Sequence, residues 1–238
     1  VNIGPSLYLQ HFNQNGFPEL EDYGVLIAQL SGSTEAALTV STHGNVFVVW
    51  LDSNVYAQRF YFNGNPVWPS PVQVNDSSAG GFSFSPEIAA LPGNEVVIGF
   101  TNTRSGKNRV YLQKLDSTGA RQWIGDVQVQ TSGTYSEYGV QLVTTSDGAS
   151  TYACWIQEDT GITDIGLSRV NSDGVVQWDP AVIANLETRE NENKPSMCIL
   201  NDADIYISWI HADGTNHYAS MQQWNSDGTC DHTMDTQI

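Results

Sequence analysis

Residues 95–123 read EVVIGFTNTRSGKNRVYLQKLDSTGARQW, and this stretch decides the fold. Glu95–Asn102 and Arg109–Leu115 are short runs rich in Val, Ile, Leu, Phe and Tyr, the composition of a half-buried pleated strand. Asp116-Ser117-Thr118-Gly119 is turn chemistry, and Trp123 follows the glycine by four residues. Outward from these runs, Pro86–Leu91 and Gln122–Val129 complete a set of four strands, A to D, with Pro92-Gly93-Asn94 turning A into B.

The unit recurs. LYLQHFNQNG, VYAQRFYFNG, VYLQKLDSTG, IGLSRVNSDG and ASMQQWNSDG end at Gly16, Gly64, Gly119, Gly174 and Gly228, at spacings of 48, 55, 55 and 54 residues. NVFVVW, EVVIGF, STYACW and DIYISW recur in phase, ending at Trp50, Phe100, Trp155 and Trp209. Asn-Gly and Asp-Gly at the repeated turns predict two-residue type I′ hairpins. Four antiparallel strands repeating every ~40–55 residues describe a β-propeller blade. A 55-residue unit is thin for a core of its own, so the repeated Trp and Phe are expected to pack between blades.

Five strand C turns meet only four A–B units, so the expected fold is all-β: four complete blades plus an N-terminal C–D hairpin, with residues 1–238 forming a single propeller domain or a fragment of a larger propeller. The hairpin is placed at 6–30 and the repeats at about 35–78, 84–130, 137–185 and 194–238. The half-blade's missing strands are expected from further sequence or another chain. The opening VNIGPS, without Met, reads as processed or excised.

Val48-Val49-Trp50 with Asp52, VYAQR at 55–59, Asn63-Gly64 and Trp68 resemble the repeats of large bacterial cell-surface and secreted proteins, many of them type IX secretion substrates of Bacteroidota. The resemblance runs from about Leu7 onward and implies scaffold repeats with no common reaction. Those repeats often carry W-x-D-x-R after strand B; here Trp50 and Asp52 lack the arginine, whereas Phe100 is followed by Arg104. The sialidase Asp-box, S-x-D-x-G-x-x-W, is out of register, because Trp123 lies four residues after Gly119 instead of three.

Charged residues make up 15% of the 238, with a net charge of −17 and a pI near 4.3. Nucleic acid and anionic membrane surfaces are therefore not expected partners, since both need clustered Lys and Arg. No apolar run reaches the ~18–20 residues of a membrane span. Cys154, Cys198 and Cys230 are too few for a disulfide framework; whether Cys154 and Cys198 pair stays open. The Asn-, Ser-, Thr- and Gln-rich surface suits an extracellular or cell-surface location.

G-x-S-x-G, H-E-x-x-H, a phosphate loop and C-x-x-C are all absent from the sequence. His211, His217, Cys230 and His232 share one repeat, but no spacing enforces a metal site, and neither metal nor cofactor is expected. The Asn-Ser-Asp-Gly turns at 171–174 and 225–228 read as turn chemistry rather than calcium loops. Gln10, Gln58, Gln113 and Gln222 form a strand C column, read as an amide ladder tying blades together.

Tight A–B and C–D turns should share one face. Long B–C loops (Thr101–Asn108, Gln157–Asp164, His211–His217) and D–A loops (Asn75–Ser85, Gln130–Tyr138, Asn185–Lys194) should share the other. Candidate ligand-binding residues on that face are Phe82, Phe84, Arg104, Tyr135, Tyr138, Asp159, His211 and Asp213. The sequence thus favours a non-catalytic module binding a glycan or protein there. The alternatives are a propeller polysaccharide hydrolase or lyase with acids drawn from several blades, or a structural subunit of a surface assembly.

Overall fold

The computed structural model describes residues 4–21, 23–32, 35–186, 191–213, 215–230 and 236–237. A two-stranded hairpin, β1 (Ser6–Leu9) and β2 (Val25–Gln29), comes first. Sheet one follows as β3 (Ala36–Val40), β4 (Val46–Asp52), β5 (Asn54–Phe60) and β6 (Val72–Gln73). Sheet two is β7 (Ser83–Leu91), β8 (Glu95–Asn102), β9 (Arg109–Leu115) and β10 (Val127–Gln128). Sheet three is β11 (Ser136–Thr144), β12 (Ser150–Asp159), β13 (Ile162–Asn171) and β14 (Val182–Ile183). Sheet four is β15 (Asn191–Leu200), β16 (Asp204–Asp213), β17 (Asn216–Asn225) and β18 (Thr236–Gln237). Every sheet is an antiparallel meander, so the expected four blades plus a C–D hairpin are present.

Period-two alternation sorts each strand B between two interfaces. Val48 and Trp50 join Leu9 and Leu30 against the hairpin, while Phe47 and Val49 join Ile88 and Phe100 against sheet two. Trp155 lies between sheets two and three with Val97 and Leu112. Trp209 lies between sheets three and four with Tyr152 and Ile165. Each repeated aromatic on strand B therefore faces the preceding sheet and is buried there.

The strand D tryptophans bind the next blade's turn. Trp68 Nε1 donates to Ser117 O at 3.0 Å, and Trp123 Nε1 to Ser172 O at 3.1 Å. Arg59 reinforces the first contact, donating to Ser117 O at 2.8 Å, and Arg169 reaches Ser226 O at 3.1 Å. The turn glycine must meet two demands. Gly119 sits at φ 88°, and a Cβ there would stand 2.9 Å from Val72 Cγ2 and 3.2 Å from the Trp68 ring. Gly119→Ala is expected to cost at least ~1–2 kcal/mol from backbone strain alone. A melting temperature unchanged from the parent would show that this turn is free to move away from Trp68.

Four expectations change. The repeated turns are not two-residue type I′ hairpins: Gly64 N–H donates to Tyr61 O at 2.9 Å, and of Asn63 and Gly64 only the glycine has positive φ. Each is a turn of type I followed by a left-handed glycine. Strand D, expected over Gln122–Val129, shrinks to β10, because the Gln113 side chain occupies the ladder. Its Nε2 donates to Gly125 O at 2.9 Å and its Oε1 accepts from Trp123 N at 3.2 Å. Gln58 reaches Trp68 O and Gln10 reaches Glu21 O in the same way, with Ser168 substituting in sheet three. The glutamine column thus staples C to D within a blade and does not tie blades together.

The last change concerns loop length. The Gln157–Asp164 and His211–His217 segments are not loops but continued ladder, paired out to Asp159 with Ile162 and Asp213 with Asn216. Thr160 and Gly161 both take positive φ, so two residues suffice for that turn. Long connections remain at 103–108 and between strands D and A. Cys154 and Cys198 are free thiols, not paired with each other, and burial pushes the Cys154 thiol upward.

Candidate active site at the mouth of the inner strands

Strands A of successive sheets, β3, β7, β11 and β15, lie against one another at the inner edge of the molecule. Each of the last three carries a bulge at the same place, between Phe84 and Glu87, Tyr138 and Gln141, and Asn193 and Ser196. The residues that absorb it, Ser85, Gly139 and Lys194, have φ of 51°, 68° and 51°. A bulge bends its strand and re-aims the side chains beside it.

In β7 the bulge takes in Pro86, which has no N–H for the ladder, and delivers Glu87 towards β11. Glu87 Oε2 accepts from Gln141 Nε2 at 3.4 Å, and Oε1 from Ile88 N at 3.2 Å. Burial raises the Glu87 carboxyl above the usual range; the bonds from Ile88 and Gln141 oppose this without cancelling it. On the other side, Glu35 leads into β3, its carbonyl accepting Leu51 N–H at 3.0 Å. The exposed Glu35 carboxylate accepts the N–H of Ser85, the bulge residue two positions before Glu87. Inner strands of three successive sheets are thereby linked through two glutamates and a glutamine.

Other acids nearby are engaged in structure. Glu137, fully buried, pairs with Arg109 at 2.6 Å and accepts Val110 N–H at 3.0 Å. Burial raises its carboxyl, with Val110 and Arg109 pulling the other way. Asp126 takes Arg104 and Arg121, each at 2.8 Å, together with the Asp76 N–H from the preceding D–A connection. Tyr138 donates to Glu158 at 3.2 Å, and burial raises the phenol, with Glu158 adding to the shift.

The sequence candidates scatter around this mouth. Phe82 stands 80% exposed, immediately before β7. Phe84 packs into the core between sheets one and two. Arg104 lies 4.1 Å from the Tyr111 ring centroid while paired with Asp126. Tyr135 folds over Gly133. Asp159 ends β12, exposed, and His211 on β16 packs on Tyr218 with ring centroids 5.1 Å apart. Asp213 ends the same strand, and its side chain lies outside the described residues, as does His232. His217 is on β17, and Cys230 Sγ contacts Gln223 O at 3.3 Å. Among the described residues no three His, Cys, Asp or Glu side chains converge as metal ligands.

Sequence reasoning missed Glu35 and Glu87. The available signal was position: Ala37, Glu87, Gln141 and Ser196 hold the same register on strand A. Of these four, Glu87 alone is an acid, and it stands directly after Ser85-Pro86.

No protein-family model matches the chain, and no curated protein matches it in sequence. Solved structures do match in fold. An endo-arabinase from Bacteroides thetaiotaomicron superposes with TM-score 0.59 at 12% identity, over 85% of this chain and 78% of that one. A protein of unknown function from Dyadobacter fermentans gives 0.57 at 13% identity, over 90% of this chain and 66% of that one. Zg3597, a family 117 glycoside hydrolase from Zobellia galactanivorans, gives 0.54 at 9% identity, over 85% and 67%. These likenesses support the propeller architecture and its occurrence in Bacteroidota. They also correct the expectation that the architecture is non-catalytic, since it is shared with chains described as glycoside hydrolases.

Proposed function

We propose that the protein is a polysaccharide-directed glycoside hydrolase whose reaction takes place at the mouth of the inner strands. One observation carries this reading: Glu35 and Glu87 project from neighbouring inner strands and are joined through Ser85, one exposed and the other half-buried with a raised carboxyl. Glycosidic cleavage uses two carboxyl groups in different environments, one kept protonated to donate to the leaving oxygen and one ionised on the other side of the sugar. Glu87 is the general acid and Glu35 the carboxylate partner. Gln141 fixes the orientation of Glu87 through its amide. Phe82, exposed beside the mouth, supplies a flat apolar face on which a sugar ring can stack.

The fold shared with an endo-arabinase and a family 117 glycoside hydrolase supports the reading. An extracellular location goes with it, because polysaccharide is met there, and the low charged fraction of 15% fits. Incubation with a panel of plant and algal polysaccharides, monitored for new reducing ends, is the test. Release of oligosaccharides that stops in Glu87→Gln and in Glu35→Gln is expected. Saturable glycan binding without any cleavage would reinstate the binding module and overturn this assignment.

A further inference from the structure

Phe82 is held at the rim of the mouth by two connections of sheet two, the D–A segment leading into β7 and the 103–108 segment after β8. Its N–H donates to Thr103 Oγ1 at 2.9 Å, and its carbonyl accepts the Thr103 N–H at 3.1 Å. One residue earlier the two segments touch, since a Cβ on Gly81 would stand 2.5 Å from Arg104 N. One residue later, Ser83 Oγ accepts from Asn102 Nδ2 at 2.9 Å, and both side chains are buried. The start of the D–A segment is fixed as well. Asp76 N–H donates to Asp126 at 2.9 Å, and the Asp76 carboxylate accepts the Ser78 N–H at 2.9 Å, capping the turn at Ser77–Ala79.

This bracing does not bury the ring it holds. Phe84, two residues on, packs into the core, whereas Phe82 stays in solvent. A ring whose backbone is already ordered gives up little freedom when a ligand covers it. The charges around it are matched internally. Arg104 and Arg121 each lie 2.8 Å from Asp126, with Asp76 beside them, so two cations meet two acids. Lys107 donates to Thr134 O. The cations of these segments are thus engaged, and what the rim offers a ligand is the apolar face of Phe82.

We propose that Phe82 is a stacking subsite remote from the cleavage point, and that the substrate is a neutral sugar chain long enough to run from Glu87 to Phe82. The proposal rests on the hydrolase reading of Glu87. Phe82 leads into the inner strand that carries Glu87 five residues on, at most ~18 Å of extended chain and less across the bulge. The C–H face of an uncharged sugar ring packs on an aromatic face. A uronate or sulfated unit would instead bring its charge beside Asp76, while Arg104 and Arg121 are already paired, and a covered charge without a partner is costly.

The test uses the intact chain carrying Glu87→Gln and measures its affinity for oligosaccharide ladders of increasing length. The neutral ladders come from arabinan, galactan and cellulose, and an acidic one from polygalacturonate. We expect affinity for a neutral ladder to step up once the chain is several units long, with no such step for polygalacturonate. Adding Phe82→Ala should remove the step, about a tenfold loss for the long members, and Phe82→Trp should preserve it. Both should melt with the Glu87→Gln chain, because the side chain is exposed. Absence of a step in all three neutral ladders, a loss in Phe82→Ala that is equal at every length, or a step for polygalacturonate would overturn the proposal. The parent chain separates this from the hydrolase reading. Cleavage of a ladder whose binding shows no Phe82 step would remove the subsite and keep the enzyme. A Phe82 step without cleavage would keep Phe82 as a glycan contact and remove the enzyme.

Discussion

Glu87→Gln is expected to lower polysaccharide cleavage by about 10²- to 10⁴-fold, the range for removing a general acid, and at the same time to raise thermal stability near neutral pH. The two effects have one origin. Burial favours the protonated carboxyl in the folded chain, so its pKa is higher folded than unfolded. The stability this group contributes is complete below the unfolded carboxyl's pKa and is lost as pH climbs through the raised folded value. Gln keeps the shape and a hydrogen-bonding amide beside Gln141 without any ionisation to suppress. The melting advantage of the variant over the parent should therefore widen between pH 4 and pH 8. Measured initial rates together with melting curves across that range provide the check. Full activity in the variant would remove Glu87 from the chemistry, and a pH-independent melting difference would remove burial as the cause of its shift.

Trp155→Ala should cost about 3–5 kcal/mol, the toll for deleting a large aromatic from a packed core. Trp155 is fully buried in the cluster shared by sheets two and three, and its indole lies over Gly166, where a Cβ would come within 2.6 Å of the ring. For a domain of this size the loss corresponds to a fall on the order of 10 °C in melting temperature. Trp178→Ala, at a half-buried position, should cost less. A Trp155→Ala protein that melts with the parent but no longer binds glycan would show that strand B contributes to the site.

Recurring runs rich in Val, Ile, Phe, Tyr and Trp and the turn glycines between them carried the architecture because they are local. Trp50, Phe100, Trp155 and Trp209 recur in phase, and each is buried against the preceding sheet. What failed was also local in appearance but was settled by side chains distant in sequence. Strand D looked continuous from Gln122 to Val129, yet the amide of Gln113, ten residues from Trp123, takes its hydrogen bonds. Gln157–Asp164 looked like a loop because its polar residues resemble loop residues, whereas they extend the β12–β13 ladder, with only its tip exposed. Arg104 looked available for a ligand, and Asp126, twenty-two residues on, takes its charge. The glutamates of the mouth were hidden for a different reason. Glu35 and Glu87 lie in different repeats, 52 residues apart, and only the contact of β3 with β7 brings them together. Among 26 acidic residues, no spacing rule could have selected that pair.

The lock between a strand D tryptophan and the following turn joins one repeat only to the next, as Trp68 does to Ser117 and Trp123 to Ser172. Such a chain is modular in a strict sense: duplicating or deleting one unit leaves every surviving lock with its partner. Gene duplication can therefore lengthen the array without new side chains evolving to accept the added copy. The number of blades is then a matter of curvature, while the identity of each blade is free to vary, as Leu20 and Phe100 illustrate at positions where other repeats carry tryptophan.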